Sequence, residues 1–322
     1  MGRPLQIFLC VLRFEFFILN TKYYLILGVI LELMVEEFGE KQARAFLSRQ
    51  EFLKSQTTII GGSRLFHGAP LLSLKIASRL NKMVFFSSPE PSLGEVAAKI
   101  KSRLFSFIWV PFEEVGDYIK KSTAVLIGPG LMRFGKEKES KKYEEKRLDD
   151  EAGRLTKKIT EDFLSQFPQK QWVIDAGSLQ VMEKEFIPPG AILTPNFEEY
   201  RLLFEVDLEK KPVEEKEKML VFLAREHQAI LLTKEDYSLA TDGRTCFLVG
   251  PGNKGLEKGG MGDVLAGLVA ALAGQKPALE AAETALFVSK KAAHELYREK
   301  GPFFNADDLA NEIPSAIERL LK

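Results

Sequence analysis

The chain has 322 residues, in which 45 Lys and Arg balance 45 Asp and Glu, so its formal charge is zero. Hydrophobic residues make up 45% and charged residues 28%, ordinary for a globular protein, which excludes collagen-like, disulfide-framework and largely disordered chains. With no global field to attract polyanions, affinity for nucleic acid or an anionic membrane would need a local patch, and neither is expected as a partner.

Residues 1–40 form an apolar N-terminal segment, set apart from a domain expected over 41–322. Its apolar runs are broken by Arg13, Glu15, Lys22 and Glu32, and no charge-free run exceeds nine residues. A transmembrane helix needs about 18–20 predominantly apolar residues. Val29-Ile30-Leu31 is a poor signal-peptide cleavage site. Three readings stay open: translation starting at Met34 with the upstream residues an artefact, a membrane-associating helix, or an extra packed helix.

From residue 57, short apolar runs alternate with amphipathic stretches. Residues 57–60, 83–86, 107–110, 124–127, 172–174, 192–193 and 230–232 read as buried strands. Residues 70–80, 93–104 and 151–167 read as helices between them. This alternation predicts an α/β fold, a mostly parallel sheet with helices on both faces. At 237–249 the pattern becomes two short strands joined through Asp242-Gly243, a hairpin signal. Helices over 262–273, 278–300 and 306–321 complete the chain. The run 136–151, dense in both charge signs, reads as a solvated helix start or mobile loop.

The most informative stretch runs from Asn253 to Asp263 and leads into an apolar helix. Gly259, Gly260 and Gly262 let the backbone approach a ligand closely, and Met261 lies among them. A helix N-terminus presents unpaired N–H groups and about half a positive charge, which together suit an anion. Asp263 in that first turn is either a cap or a base that takes a proton from a hydroxyl attacking phosphorus. No Lys opens the helix, so this is not a P-loop. In Thr194-Pro195-Asn196-Phe197-Glu198-Glu199, Asn196 and Glu199 form a capping box, or Glu199 orders a magnesium-bound water.

Other strand ends carry Gly61-Gly62-Ser63, Gly128-Pro129-Gly130, Asp175 and Lys234, as one crevice at the carboxyl edge of a sheet would require. Each is weak alone: the glycines serve plain turns equally well, Arg133 meets a phosphate or solvent, and His67 reads better as a surface or capping residue than as a catalyst. Two cysteines (Cys10, Cys246) and three histidines (His67, His227, His294) lack zinc-ligand spacing. A reducing, cytoplasmic location fits so few cysteines.

The ordered set GGS…GAP (61–70), GPGLMR (128–133), VIDAGSL (173–179), TPNFEE (194–199) and NKGLEKGGMGDVLAGLVAALAG (253–274) resembles the ADP- or ATP-dependent NAD(P)H-hydrate dehydratases of the ribokinase-like superfamily. The resemblance runs from about residue 55 to the end and includes Ala306-Asp307-Asp308-Leu309. It implies a ribokinase-like fold and a lyase reaction that restores NAD(P)H from its hydrate through a phosphorylated intermediate, with ADP or ATP as phosphoryl donor and Mg²⁺ as cofactor. It implies Asp263 as the base and an anion hole at Gly259, Gly260, Met261 and Gly262. Nucleotide contacts would come from Lys234, Glu235, Asp236, Tyr237, Ser238 and Gly262. Substrate contacts would come from Ala69, Gly130, Asn196 and Asp263. Homo-oligomers are common among such relatives and are permitted here.

The chain departs from the family pattern on the substrate side. Asn196 stands where the family has His, Gly177 where it has a second Asp, and Lys234-Glu235 where it has Lys-Gly. Asn81-Lys82-Met83 replaces glycines, and Lys54-Ser55-Gln56 replaces a basic-Gly-Asp approach to the first strand. Two alternatives follow: a small-molecule kinase of the same superfamily, acting on a vitamin-precursor or sugar-like alcohol, and a non-catalytic nucleotide-binding relative.

Overall fold

The computed structural model describes residues 22–26, 29–33, 35–51, 54–101, 104, 106–135, 150–274 and 277–322. Strands β1 (Lys22–Ile26) and β2 (Val29–Leu33) pair antiparallel as a separate two-stranded sheet. The extra helix expected in this segment is therefore not formed over these residues. The β-branched and aromatic content of Tyr23, Tyr24, Ile26, Val29 and Ile30 favours strand instead. Residues 1–21 and Met34, on which the other readings of the segment bear, lie outside the described residues. Among the described residues no helix is long and apolar enough to cross a membrane.

The main sheet begins with β3 (Val35–Glu37), followed by α1 (Glu40–Ser48). Phe38 between them is buried and meets the rings of Phe247 and Phe287 edge-on at 6.1 and 6.2 Å. β3 pairs with β12, and the core includes Phe38.

The βα alternation then follows the expected order. It runs through β4 (Gln56–Ile60), α2 (Gly68–Leu80), β5 (Met83–Ser87), α3 (Ser92–Ile100), β6 (Ile108–Trp109), α4 (Val115–Lys121) and β7 (Ala124–Ile127). Next come α5 (Glu151–Gln166), β8 (Gln171–Ile174), the short α6 (Ala176–Leu179), β9 (Ile192–Leu193), α7 (Phe197–Phe204) and α8 (Val213–Glu226). After β10 (Ile230–Leu232), the hairpin of β11 (Ser238–Thr241) and β12 (Cys246–Val249) precedes α9 (Met261–Ala273), α10 (Ala278–Lys300) and α11 (Ala306–Leu321). In the charged run, Asp150 caps α5 by accepting from the Gly153 N–H at 3.0 Å, and residues 136–149 lie outside the described residues.

The ten strands lie in the order β3-β12-β11-β10-β9-β8-β7-β4-β5-β6. The run from β10 to β6 is parallel, β10, β11 and β12 are antiparallel neighbours, and β3 is parallel to β12. Side chains alternate between the two faces. Ile59, Leu126 and Val173 enter one core with α2, α9, α10 and α11, and Ile60, Val125, Ile127 and Ile174 enter the other with α5, α7 and α8. Because both faces are covered, these strands read as unbroken apolar runs rather than as alternating ones.

Helix α9 is buried along 11 of its 13 residues, as its all-round apolar sequence predicts. It crosses α2 so closely that a Cβ on Gly267 would lie 2.5 Å from Ser73 Cα. Ser73 Oγ donates to the Asp263 carbonyl at 2.7 Å, and Asn81 Nδ2 donates to the Ala271 carbonyl at 2.9 Å while Asn81 Oδ1 accepts from Thr57 at 2.7 Å. The departure at Asn81 thus serves as a clamp between α2, α9 and the sheet. Gly267→Ala gains helix propensity of about 1 kcal/mol but must push two backbones apart, at a cost of about 1–3 kcal/mol. A net loss of stability of about 1 kcal/mol is expected from the urea midpoint. An unchanged midpoint would contradict the close crossing.

Candidate active site

The carboxyl ends of β4, β7, β8, β9 and β10 meet the N-terminus of α9 at one edge of the sheet. The loops there interlock backbone to backbone. Gly62 N–H donates to the Pro129 carbonyl at 2.8 Å, and a Cβ on Gly128 would lie 1.7 Å from the Asp175 carbonyl oxygen. A Cβ on Gly177 would lie 2.2 Å from the Leu131 carbonyl oxygen, so no Asp fits at this departure from the family pattern. Gly130 is buried against the Phe66 carbonyl and Pro70, and Ala69 is half-buried in the first turn of α2. Several glycines that the sequence offers for ligand approach thus act first as contacts between loops.

Within this frame four ionisable side chains converge. Asp175, 1% exposed, accepts from Thr194 Oγ1 at 2.6 Å and from Lys234 Nζ at 2.8 Å. Burial opposes the charge of Lys234, but Asp175, Glu199 and Asp263 outweigh it and hold the ammonium above its ordinary pKa. A Cβ on Gly262 would stand 3.2 Å from Lys234 Nζ, so the lysine lies against the first turn of α9.

Asp263 sits in that turn. Burial first, then the neighbouring carboxylates of Asp175 and Glu199, push its pKa up to about 7 despite the opposing pull of Lys234. Among the described residues no side chain or main chain donates to its carboxylate. A carboxyl poised near neutrality without a donor has the character of a general base.

Gly260 precedes α9 at φ +88°, a conformation that favours glycine, and a Cβ there would meet Leu72 and Ala306 within 3 Å. Among the described residues the N–H groups of Gly259 and Gly260 have no protein acceptor. The Met261 N–H donates to the Lys258 carbonyl at 3.3 Å, and its side chain is buried.

Asn196 and Glu199 form the capping box of α7, with reciprocal bonds of 2.9 Å. Glu199 is 2% exposed, and its other carboxylate oxygen accepts from Gln180 Nε2 at 2.8 Å. Burial raises its pKa against the pull of Lys234. Each Glu199 oxygen thus accepts one hydrogen bond inside the protein, which fixes the carboxylate at the carboxyl end of β9. Asn196 is exposed beside the crevice, with its Oδ1 in the cap.

In the loop after β10, Ser238 is fully buried and its hydroxyl donates to the Glu235 carbonyl at 2.9 Å, so this side chain serves the loop. Glu235 pairs with the buried Lys216, and Tyr237 is half-exposed against Gly250. Arg133 is exposed and His67 begins α2 without a side-chain cap bond. Gln180 and Lys290, which no motif marks, are the site-supporting residues missed from sequence. Lys290 donates to three main-chain carbonyls at this edge.

Residues 57–315 match the family described as NAD(P)H-hydrate dehydratase. The chain is 28% identical over 282 residues to the bifunctional NAD(P)H-hydrate repair enzyme Nnr of Hyperthermus butylicus, covering 80% of this chain and 48% of that protein. It is 24% identical over 288 residues to the ATP-dependent (S)-NAD(P)H-hydrate dehydratase of Danio rerio, covering 82% of each. The chain spans about half the length of the bifunctional relatives it matches. The structure of the ADP/ATP-dependent NAD(P)H-hydrate dehydratase of Bacillus subtilis co-crystallised with ATP/Mg²⁺ superposes with a TM-score of 0.67 at 20% identity, over 89% of this chain and 99% of that one. A ribokinase-like superfamily protein of Enterococcus faecalis superposes with a TM-score of 0.70 at 17% identity, over 89% of this chain and 96% of that one, and these likenesses show the shared fold.

Proposed function

The chain belongs to the NAD(P)H-hydrate dehydratase family, and from that premise we propose that it restores NAD(P)H from its hydrate at the expense of ADP or ATP. The observation that carries this reading is the carboxyl of Asp263, held near pKa 7 at the mouth of a glycine-rich helix N-terminus. Asp263 takes the proton of the hydrate's ring hydroxyl. The freed oxygen bonds to the terminal phosphorus of the nucleotide as the bond to the leaving phosphate oxygen breaks. The C–O bond of the phosphorylated intermediate then breaks and phosphate departs with its electron pair, while the adjacent ring carbon loses a proton to solvent and that C–H electron pair restores the dihydronicotinamide double bond.

The N–H groups of Gly259, Gly260 and Gly262 face the phosphoryl group as its charge shifts. Lys234 supplies the adjacent positive charge, with the loop Glu235, Asp236 and Tyr237 beside the nucleotide. Ala69, Gly130 and Asn196 border the side on which the hydrate lies. Among the described residues no three His, Cys, Asp or Glu side chains are grouped to hold a metal. The described residues therefore offer no protein-made magnesium cage. Magnesium belongs here as the counter-ion of the nucleotide phosphates.

The test is to incubate the full chain with hydrated NADH, Mg²⁺ and either ADP or ATP, and to follow the absorbance of the reduced nicotinamide. Nucleotide-dependent recovery is the expected result. Nucleotide binding without recovery would contradict the reading and favour a kinase acting on another alcohol, to which Asn196 at the substrate edge also points.

A further inference from the structure

Lys290 lies in the middle of α10 and is 5% exposed. Its ammonium donates to the carbonyls of Glu235 at 2.9 Å, Asp236 at 2.6 Å and Val249 at 2.7 Å. An ammonium has three donors, and all three are matched by main-chain oxygens from two separate segments. Glu235 and Asp236 follow Lys234 directly, and Val249 ends β12. Asp236 O also accepts from the Gly252 N–H at 2.7 Å, and His294, one turn along α10, meets the Pro251 carbonyl at 3.1 Å. The loop after β10 and the strand end that precedes the glycine-rich turn are therefore gathered onto one buried cation.

We infer that Lys290 is a positioning residue that holds the loop after β10, and through it Lys234, in place for the phosphates of the nucleotide. The inference rests on the nucleotide-dependent reading of the site. A buried lysine is a costly way merely to fill space, since its charge must be desolvated. Burial lowers its pKa to about 7, while Asp236 and then Glu235 act to keep it charged. The gain is local: without the ammonium, three carbonyls one to two residues from Lys234 or at the end of β12 lose a shared partner. Lys234 would then keep its contact with Asp175 but lose the fixed backbone from which it extends.

The test compares ADP and ATP binding, and steady-state kinetics, for the wild-type chain and Lys290→Met. The expected result is a rise of about ten-fold or more in the nucleotide Kd and KM, with the KM for hydrated NADH unchanged. In Lys290→Ala, methylammonium at constant ionic strength is expected to restore nucleotide affinity in part, whereas sodium does not. Wild-type protein that binds neither nucleotide removes the reading on which the inference rests. Wild type that binds while Lys290→Met binds equally well overturns the inference alone. If Lys290→Met does not fold, Lys290→Gln, which keeps two N–H donors, carries the comparison, and its failure to fold as well assigns Lys290 to stability and overturns the positioning role.

Discussion

Asp263→Asn is expected to lower turnover by about 10³-fold, within the range for loss of a general base, while making the protein more stable at pH 8. The amide keeps the size of the side chain but accepts no proton. The stability gain follows from linkage. The Asp263 pKa stands at about 7 in the folded chain against 3.8 for an ordinary aspartate, so the folded state holds a proton that the unfolded state has released. This carboxyl's contribution to stability is therefore intact below about pH 4 and falls as pH rises through about 7. At 1.36 kcal/mol per pH unit the full loss is at most about 4 kcal/mol, and partial solvent access reduces it to about 2–3 kcal/mol. Thermal melts of wild type and Asp263→Asn at pH 5 and pH 8 check this. The variant's advantage should be larger at pH 8, and an advantage equal at both pH values would show that the carboxyl is not held near neutrality.

Lys234→Met is the second large effect. It removes the cation bonded to Asp175, a residue 1% exposed, and leaves a buried carboxylate with the Thr194 hydroxyl as its one side-chain donor among the described residues. Breaking a buried pair from one side costs about 3–5 kcal/mol; the Lys234 side chain is 20% exposed, so about 2–3 kcal/mol is expected here. The charge on Lys234 also pulls the Asp263 pKa down, so its removal moves that pKa further above 7. A base must be unprotonated to act, and the acid limb of the pH–rate profile should therefore shift to higher pH in Lys234→Met. An unmoved limb, with activity merely lowered, would show that Lys234 touches the nucleotide without acting on Asp263.

Much of this was legible in the chain because the decisive signals are local. The two-face burial of the sheet makes its strands continuous apolar runs, and the all-round apolar α9 with its glycine-rich start reads as a buried helix presenting a carboxylate. The capping box of Asn196 and Glu199 is likewise a pattern of four residues, and the structure forms it. Other features depend on contacts far apart in sequence. Gly128 reads as a plain turn and Gly177 as a departure from the family's Asp, yet the carbonyls that exclude a side chain there belong to Asp175 and Leu131. Lys290 reads as an ordinary helix lysine, and its carbonyl partners lie 41 to 55 positions upstream. β3 joins the sheet only because β12, two hundred residues later, offers an edge.

The most direct measurement quantifies reduced nicotinamide and inorganic phosphate in the same reaction of the full chain with hydrated NADH and ADP or ATP. One phosphate is expected for each reduced nicotinamide recovered, with no phosphorylated product accumulating. A stable phosphorylated alcohol, or nucleotide consumed without recovery of reduced nicotinamide, would contradict it.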